Sequence, residues 1–272
     1  MVPVVKSVSK WLASAVACTG LVLAGCSSDS GDTALKVGVI AGPEADLMRT
    51  AADQAKQTYN LDVELVEFQD YVAPNIALSD GSIDINAFQH KPYLDRMVND
   101  RSFKLEIVGN TFVYPIGAYS RTLTSLEDLP NGSKVAIPND PSNEGRTLLL
   151  MHKAGLVTLK DPSDLEATPV DIIDNPHDLS FIELDAAQLP RSLDDVDLAF
   201  INSTYSVASG LLPTRDSLLM EDKDSPYVNI IVSRQDNSQD PRIAQLVASF
   251  QSEAVEQKAE ELFKGGAVQG WR

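Results

Sequence analysis

The stretch Asp84-Ile-Asn-Ala-Phe-Gln-His-Lys-Pro-Tyr-Leu-Asp95 holds a strand and a helix back to back. Its first half reads as a short strand. Pro92 opens the helix, since proline has no N–H to leave unpaired in a first turn. A strand running straight into a helix is the repeating unit of an α/β fold. Phe88 and His90 stand two apart, so an extended backbone points both to one side, and Tyr93 follows within the next turn. Three rings at such a junction form either a wall for an apolar ligand group or a piece of core with a satisfied histidine. These residues alone leave both readings open.

The flanking sequence repeats the pattern. Leu35-Lys-Val-Gly-Val-Ile40 is an apolar run ending in Ala41-Gly42-Pro43, after which Ala45, Leu47, Met48, Ala51, Ala52 and Ala55 recur at helical spacing. Residues 61–68 alternate as a second strand and lead into Gln69-Asp70-Tyr71; Pro74 then starts a short helix. Residues 105–108 and 111–119 are two further strand candidates, which gives a first α/β lobe. Beyond it, residues 134–137 read as a strand and Pro138-Asn-Asp-Pro-Ser-Asn-Glu-Gly-Arg146 as a turn into a helix ending at Gly155. Asn143 or Ser142 is the expected N-cap. The N–H groups of that first turn make an anion site to which Arg146 adds a bidentate grip, or else the helix is an ordinary one with a solvated arginine. Residues 197–202 form a buried-type strand ending in Asn202, and residues 227–232 a strand interrupted by Asn229. The Asn229 amide must find partners, and backbone groups could supply them all. Residues 241–263 read as one long amphipathic helix.

Two α/β segments of similar size suggest two lobes with a cleft between them. The chain crosses out of the first lobe along 111–119 and back along 227–232, so the lobes share two connecting strands and Asn229 lies at the cleft floor. The expected boundaries are lobe one over 35–118, lobe two over 119–227, and a return to lobe one over 228–272.

The N-terminus sets the compartment. Residues 1–25 carry Lys6 and Lys10, no acid, and an apolar run from Trp11 to Leu23, then Leu23-Ala-Gly-Cys26. This is a secretory signal followed by a lipobox, with Cys26 acylated as the mature N-terminus. The run is too short for the ~20 residues of a spanning helix. Residues 26–34 are a flexible polar tether. Cys18 leaves with the signal and Cys26 is consumed by lipid, so the mature domain has neither disulfide nor thiol chemistry. The net charge of −17 becomes −19 once Lys6 and Lys10 are removed, which disfavours nucleic acid as a partner. An enzyme is not expected: there is no Gly-x-Ser-x-Gly elbow, and His90, His152 and His177 show no metal-ligand spacing. No metal or cofactor is expected.

The segments Val37-Gly-Val-Ile40, Phe88-Gln-His-Lys-Pro-Tyr-Leu94, Gly109-Asn-Thr-Phe-Val-Tyr-Pro115, Pro138-Asn-Asp-Pro141, Gln188-Leu-Pro-Arg-Ser-Leu-Asp194 and Ser225-Pro-Tyr-Val-Asn229 resemble the MetQ/NlpA family, the methionine-binding lipoproteins of bacterial ABC importers. The resemblance runs from Leu35 to Trp271, with the segments in the family's order. It implies a two-lobe type II periplasmic-binding-protein fold that closes over L-methionine, D-methionine or a methionine peptide. The implied partner is an inner-membrane permease with its ATPase, and the implied state a monomer held to the cell envelope by lipid, facing the periplasm or the outer face of the cell membrane. Tyr71, Phe88, His90 and Tyr93 resemble the family's thioether pocket. Arg146 resembles its carboxylate ligand with Asn143 beside it, and Asn202 and Asn229 its contacts to the amino-acid backbone. A surface lipoprotein acting chiefly through protein contacts, in adhesion or envelope assembly, is the alternative.

Overall fold

The structure is a computed structural model that describes residues 34–222 and 224–271. The signal, Cys26 and all but the last residue of the tether lie outside the described residues. Strand β1 (Leu35–Ile40) is buried along nearly its whole length and feeds helix α1 (Pro43–Tyr59) through Gly42, whose φ of +115° is open to glycine but strained for other residues. Strand β2 (Val63–Phe68) pairs in parallel with β1. Helix α2 (Ala73–Ser79) and strand β3 (Ile85–His90) follow, with β3 parallel to β1 on its other side. Helix α3 (Lys91–Arg101) begins at the residue after β3 ends, as Pro92 leads one to expect.

Strand β4 (Leu105–Val113) runs unbroken through Gly109 and Asn110, where the sequence suggested an interruption. The break comes at Tyr114-Pro115, because Pro115 has no N–H to continue a ladder. Strand β5 (Ile116–Tyr119) then belongs to a second sheet. The chain therefore changes sheet at Tyr114-Pro115 rather than at residue 119, and it crosses in a two-residue link rather than along a strand.

The second sheet also holds β6 (Lys134–Pro138), which leads into helix α4 (Pro141–Lys153). Strands β7 (Thr158–Leu159) and β8 (Ile172–Asp174) form a small ribbon of their own. Strand β9 (Ser180–Leu184), helix α5 (Leu189–Ser192), strand β10 (Leu198–Asn202), helices α6 (Ser203–Ala208) and α7 (Pro213–Asp216) and strand β11 (Leu219–Met220) complete this lobe. Its strand order is β11-β5-β10-β6-β9. After β11 the chain returns as β12 (Val228–Arg234), antiparallel between β3 and β4 in the first sheet. The expected single C-terminal helix is two, α8 (Pro241–Phe250) and α9 (Glu253–Phe263). The chain turns at Gln251-Ser252, where Gln251 Nε2 donates to the Asn110 carbonyl at 3.0 Å. That turn keeps Ile243, Leu246 and Phe250 of α8 and Val255, Ala259 and Phe263 of α9 on one core. A short β13 (Val268–Gln269) closes the first sheet, ordered β13-β4-β12-β3-β1-β2.

Each sheet has its own core. Leu35, Val37, Val39, Leu47, Met48, Ile231 and Phe263 pack together in the first, and Ile116, Val135, Ile137, Leu148, Met151 and Phe200 in the second. A third cluster draws Ile40, Phe88 and Tyr93 from one lobe and Tyr119, Ala136, Ile201 and Tyr205 from the other. The two lobes meet there, where β3 ends, β12 begins and β10 ends. This is the region of an α/β sheet where ligands are usually received.

Candidate functional site

The ring wall forms at the end of β3. Tyr71, Phe88 and Tyr93 lie with ring centroids 5.9 to 6.2 Å apart, tilted or edge-on, which is the favoured geometry for aromatic pairs. Tyr93 Oη donates to the Tyr71 carbonyl at 2.9 Å, so the first turn of α3 holds the loop that carries Tyr71. His90 occupies the N-cap of α3, and its Nδ1 accepts the Tyr93 N–H at 3.2 Å. With Nδ1 an acceptor, the ring proton sits on Nε2, which reaches Asn143 Oδ1 at 3.2 Å. Burial, helped by the nearby charge of Arg146, pushes the His90 imidazole down to about 3. It is a neutral ring at physiological pH.

Opposite the rings is a wall of amides, and one carboxylate sets the orientations of Asn143 and Asn202. Asp140, not Asn143 or Ser142, is the N-cap of α4. Proline at position 141 takes the first helical place, which leaves the residue before it to cap. Asp140 accepts the Asn143 backbone N–H at 3.0 Å and the Asn143 side-chain amide at 3.0 and 2.9 Å. The anion at this helix start is thus the protein's own. Asn143 Oδ1 must then be an acceptor, and it takes both His90 Nε2 and, at 2.9 Å, Asn202 Nδ2. The consequence falls on Asn202. Its Oδ1 is buried and has no hydrogen-bond partner. Asn202 stands at the N-cap of α6, where asparagine ordinarily bonds the first turn, yet its side chain makes no capping bond. Asn229 pairs across the sheet with His90, and its amide donates to the Phe88 carbonyl at 3.2 Å.

Arg146 lies one turn into α4 and is 3 % exposed. It is not free for a ligand to grip from the side. Its Nε lies 3.0 and 3.2 Å from the two carboxylate oxygens of Glu221, Nη2 also bonds Glu221, and Nη2 donates to the Tyr114 carbonyl at 2.9 Å. The Tyr227 ring stacks 4.5 Å from the guanidinium carbon and meets His90 edge-on at 5.0 Å. Gly145 permits this placement, since a Cβ there would stand 2.2 Å from the Leu165 carbonyl oxygen.

These eight residues, Tyr71, Phe88, His90, Tyr93, Asn143, Arg146, Asn202 and Asn229, line one cavity. Gln89, Tyr114, Ser203 and Thr204 line it too. Ser203 and Thr204 follow Asn202 in the chain, so a strand ending into a helix start could have pointed to them. Nothing in the sequence marks Glu221, 75 residues from Arg146, or Glu44, 160 residues from Thr204. Among the described residues no group of three or more His, Cys, Asp or Glu could hold a metal ion, and no helix is long and apolar enough to cross a membrane.

Glu44 extends the site between the lobes. Tyr71 Oη donates to Thr204 Oγ1 at 3.1 Å, and the Thr204 hydroxyl bonds the buried Glu44 carboxyl. Burial pushes Glu44 up from 4.5 to about 8, against the pull of the Thr204 bond. The folded chain therefore keeps a proton that the unfolded chain releases above 4.5. That contribution is intact below pH 4.5 and is lost as pH rises through about 8. Glu44→Gln keeps an acceptor for Thr204 and cannot ionise. Relative to the parent, its unfolding free energy is expected to rise by on the order of 3 kcal/mol between acidic and mildly alkaline pH. Denaturant titrations across that range check this, and a difference that stays flat with pH would contradict it.

A family model described as NlpA lipoprotein matches residues 35–271. A relative from Vibrio cholerae named probable D-methionine-binding lipoprotein MetQ is 52 % identical over 97 % of this chain and 99 % of its own. The crystal structure of the methionine-binding protein MetQ superposes with a TM-score of 0.86 at 54 % identity, covering 88 % of this chain and 98 % of that one. A nutrient-binding protein from Burkholderia cenocepacia, solved bound to methionine, gives 0.85 at 44 % identity over 87 % of this chain and the whole of its own. Those names are of binding proteins and lipoproteins, not enzymes, and the solved structures share this fold. On sequence and fold alike, the chain belongs to the NlpA lipoprotein family.

Proposed function

We propose that this chain is the substrate-binding component of an ABC importer and holds L-methionine in the cavity between its lobes. The observation that carries this is the buried, unpartnered Oδ1 of Asn202, set in one cavity with a guanidinium and a ring wall. An ammonium group suits that oxygen, a carboxylate suits Arg146, and a thioether suits Tyr71, Phe88, His90 and Tyr93. Sulfur–aromatic contacts of ~0.3–1.5 kcal/mol each need no charge on the protein. The neutral state of His90 matters here, since an imidazolium would repel the ammonium. The ligands in the relatives' names, D-methionine and methionine, support methionine as the ligand class.

Closure follows from where the bonds lie. Tyr71 with Thr204, His90 with Asn143, and Tyr205 Oη with the Gln69 carbonyl at 3.3 Å each join one lobe to the other. A ligand that touches both walls favours the form in which these bonds exist, and opening exchanges it. Asn143 acts on the ligand through the amide and imidazole it orients. In this reading the protein works as a monomer, anchored to the cell envelope through acylated Cys26 and facing the periplasm or the outer face of the cell membrane, and passes methionine to an inner-membrane permease with its ATPase.

The test is mass spectrometry of small molecules released when the purified lipoprotein is denatured, paired with competition between L- and D-methionine. Stoichiometric methionine, displaced preferentially by the L form, is expected. A different amino acid would overturn the ligand assignment. Unchanged methionine uptake in cells lacking the gene would overturn the importer role.

A further inference from the structure

Arg146 borders two cavities. One is the site described above; the other is lined by Leu149, Leu150, Lys153, Glu221 and Tyr227 among others. Glu221 lines only the second. Its carboxylate therefore meets the guanidinium from the far side. It occupies the Nε–Nη2 edge, the fork that a carboxylate prefers to take bidentately. Nη2 also serves the Tyr114 carbonyl, and Nη1 makes no hydrogen bond within the described residues. Glu221 is held in its own right: Ser225 Oγ donates to Oε1 at 3.0 Å, the Ile116 N–H reaches Oε2 at 3.4 Å, and the Glu221 N–H donates to the Ile116 carbonyl at 3.0 Å. All of these partners belong to the second lobe or the link that follows it, so the pair does not depend on lobe closure.

We infer that Glu221 is a specificity-determining positioning residue: it fixes Arg146 with only Nη1 turned to the ligand and compensates its charge, so that the site selects zwitterions over simple anions. This rests on the reading of the cavity as an amino-acid site. With Glu221 ionised, the guanidinium offers a carboxylate a directed hydrogen bond but little net field. A zwitterion adds its ammonium contact to Asn202. An anion without an ammonium gains nothing to replace it. If the charge of Glu221 is removed, Arg146 pulls harder on any carboxylate and pushes against any ammonium. For a zwitterion the two changes oppose each other; for an anion only the first operates.

The experiment compares methionine with its des-amino analogue on the full-length lipoprotein in detergent, by calorimetry with competition for the weaker ligand. For Glu221→Gln, the ratio of the des-amino Kd to the methionine Kd is expected to fall by about tenfold relative to the parent. Equal loss of affinity for both ligands would mean a merely structural role and would overturn the inference, as would a rise in the ratio. Should Glu221→Gln not fold, Glu221→Asp retains the charge on a shorter arm. It is expected to weaken both ligands while the ratio stays within about twofold, and a tenfold change in that ratio would contradict the inference. A parent that binds no methionine would instead remove the reading beneath it.

Discussion

Arg146→Ala is expected to weaken methionine binding by roughly a hundredfold or more and to lower stability as well. The two losses have different causes. Affinity falls because the ligand carboxylate would be buried without its cation, and hydrogen bonds to charged groups are worth about 1.5–3 kcal/mol each. Stability falls because Glu221, only 12 % exposed, would be left as an unpaired charge, a change that costs about 3–5 kcal/mol when one partner of a buried pair is removed. Removing both partners separates the effects. The double variant Arg146→Ala/Glu221→Ala is expected to regain most of the lost stability and none of the affinity. Thermal unfolding and calorimetry on the two variants check this. Recovery of binding in the double variant would show that Arg146 does not contact the ligand.

Asn202→Ala is expected to separate the same two quantities in the opposite sense. No group of the protein donates to the buried Asn202 Oδ1, and a buried acceptor left unpaired costs about 1–3 kcal/mol. Its removal relieves that cost, which offsets the lost bond to Asn143. Asn143 Oδ1 keeps its contact with His90. Stability should therefore stay within about 1 kcal/mol of the parent or rise, while methionine affinity falls by roughly ten- to a hundredfold. A variant that unfolds more easily but binds normally would identify Asn202 as structural.

How much of this was legible in the sequence depended on the distance over which each feature acts. The ring wall was, because alternation along a strand and proline at a helix start are local rules, and Phe88, His90 and Tyr93 obey them within a few residues. The helix containing Arg146 is legible, but it starts earlier than the Asn143 or Ser142 cap that the sequence suggests, because Asp140 caps ahead of Pro141. The division of the C-terminal helix is not legible, since apolar spacing continues on both sides of Gln251-Ser252, and the bond that Gln251 makes at the turn goes to Asn110 in another element. Glu221 and Glu44 were out of reach for a different reason. An acidic residue reads as solvated surface until its partner is known, and these partners are supplied by the fold.

Asn229 shows how a residue can satisfy two readings. Its amide bonds backbone, as any buried amide in a strand must, and it also lines the cavity beside Asn202. The local rule and the ligand role do not compete there, so neither argues against the other. At Asn202 they do compete. An N-cap asparagine that leaves its helix uncapped and its oxygen unpaired gives up local stability, and the proposed ligand is what would recover it.

Methionine binding between the lobes is tested most directly by isothermal calorimetry of the protein, freed of any carried ligand by unfolding and refolding, titrated with L-methionine. One site per chain is expected, with a negative heat-capacity change from burial of the thioether against the rings. Refolded protein that gives no binding heat at several temperatures, with the same cavity intact in a crystal structure, would contradict it.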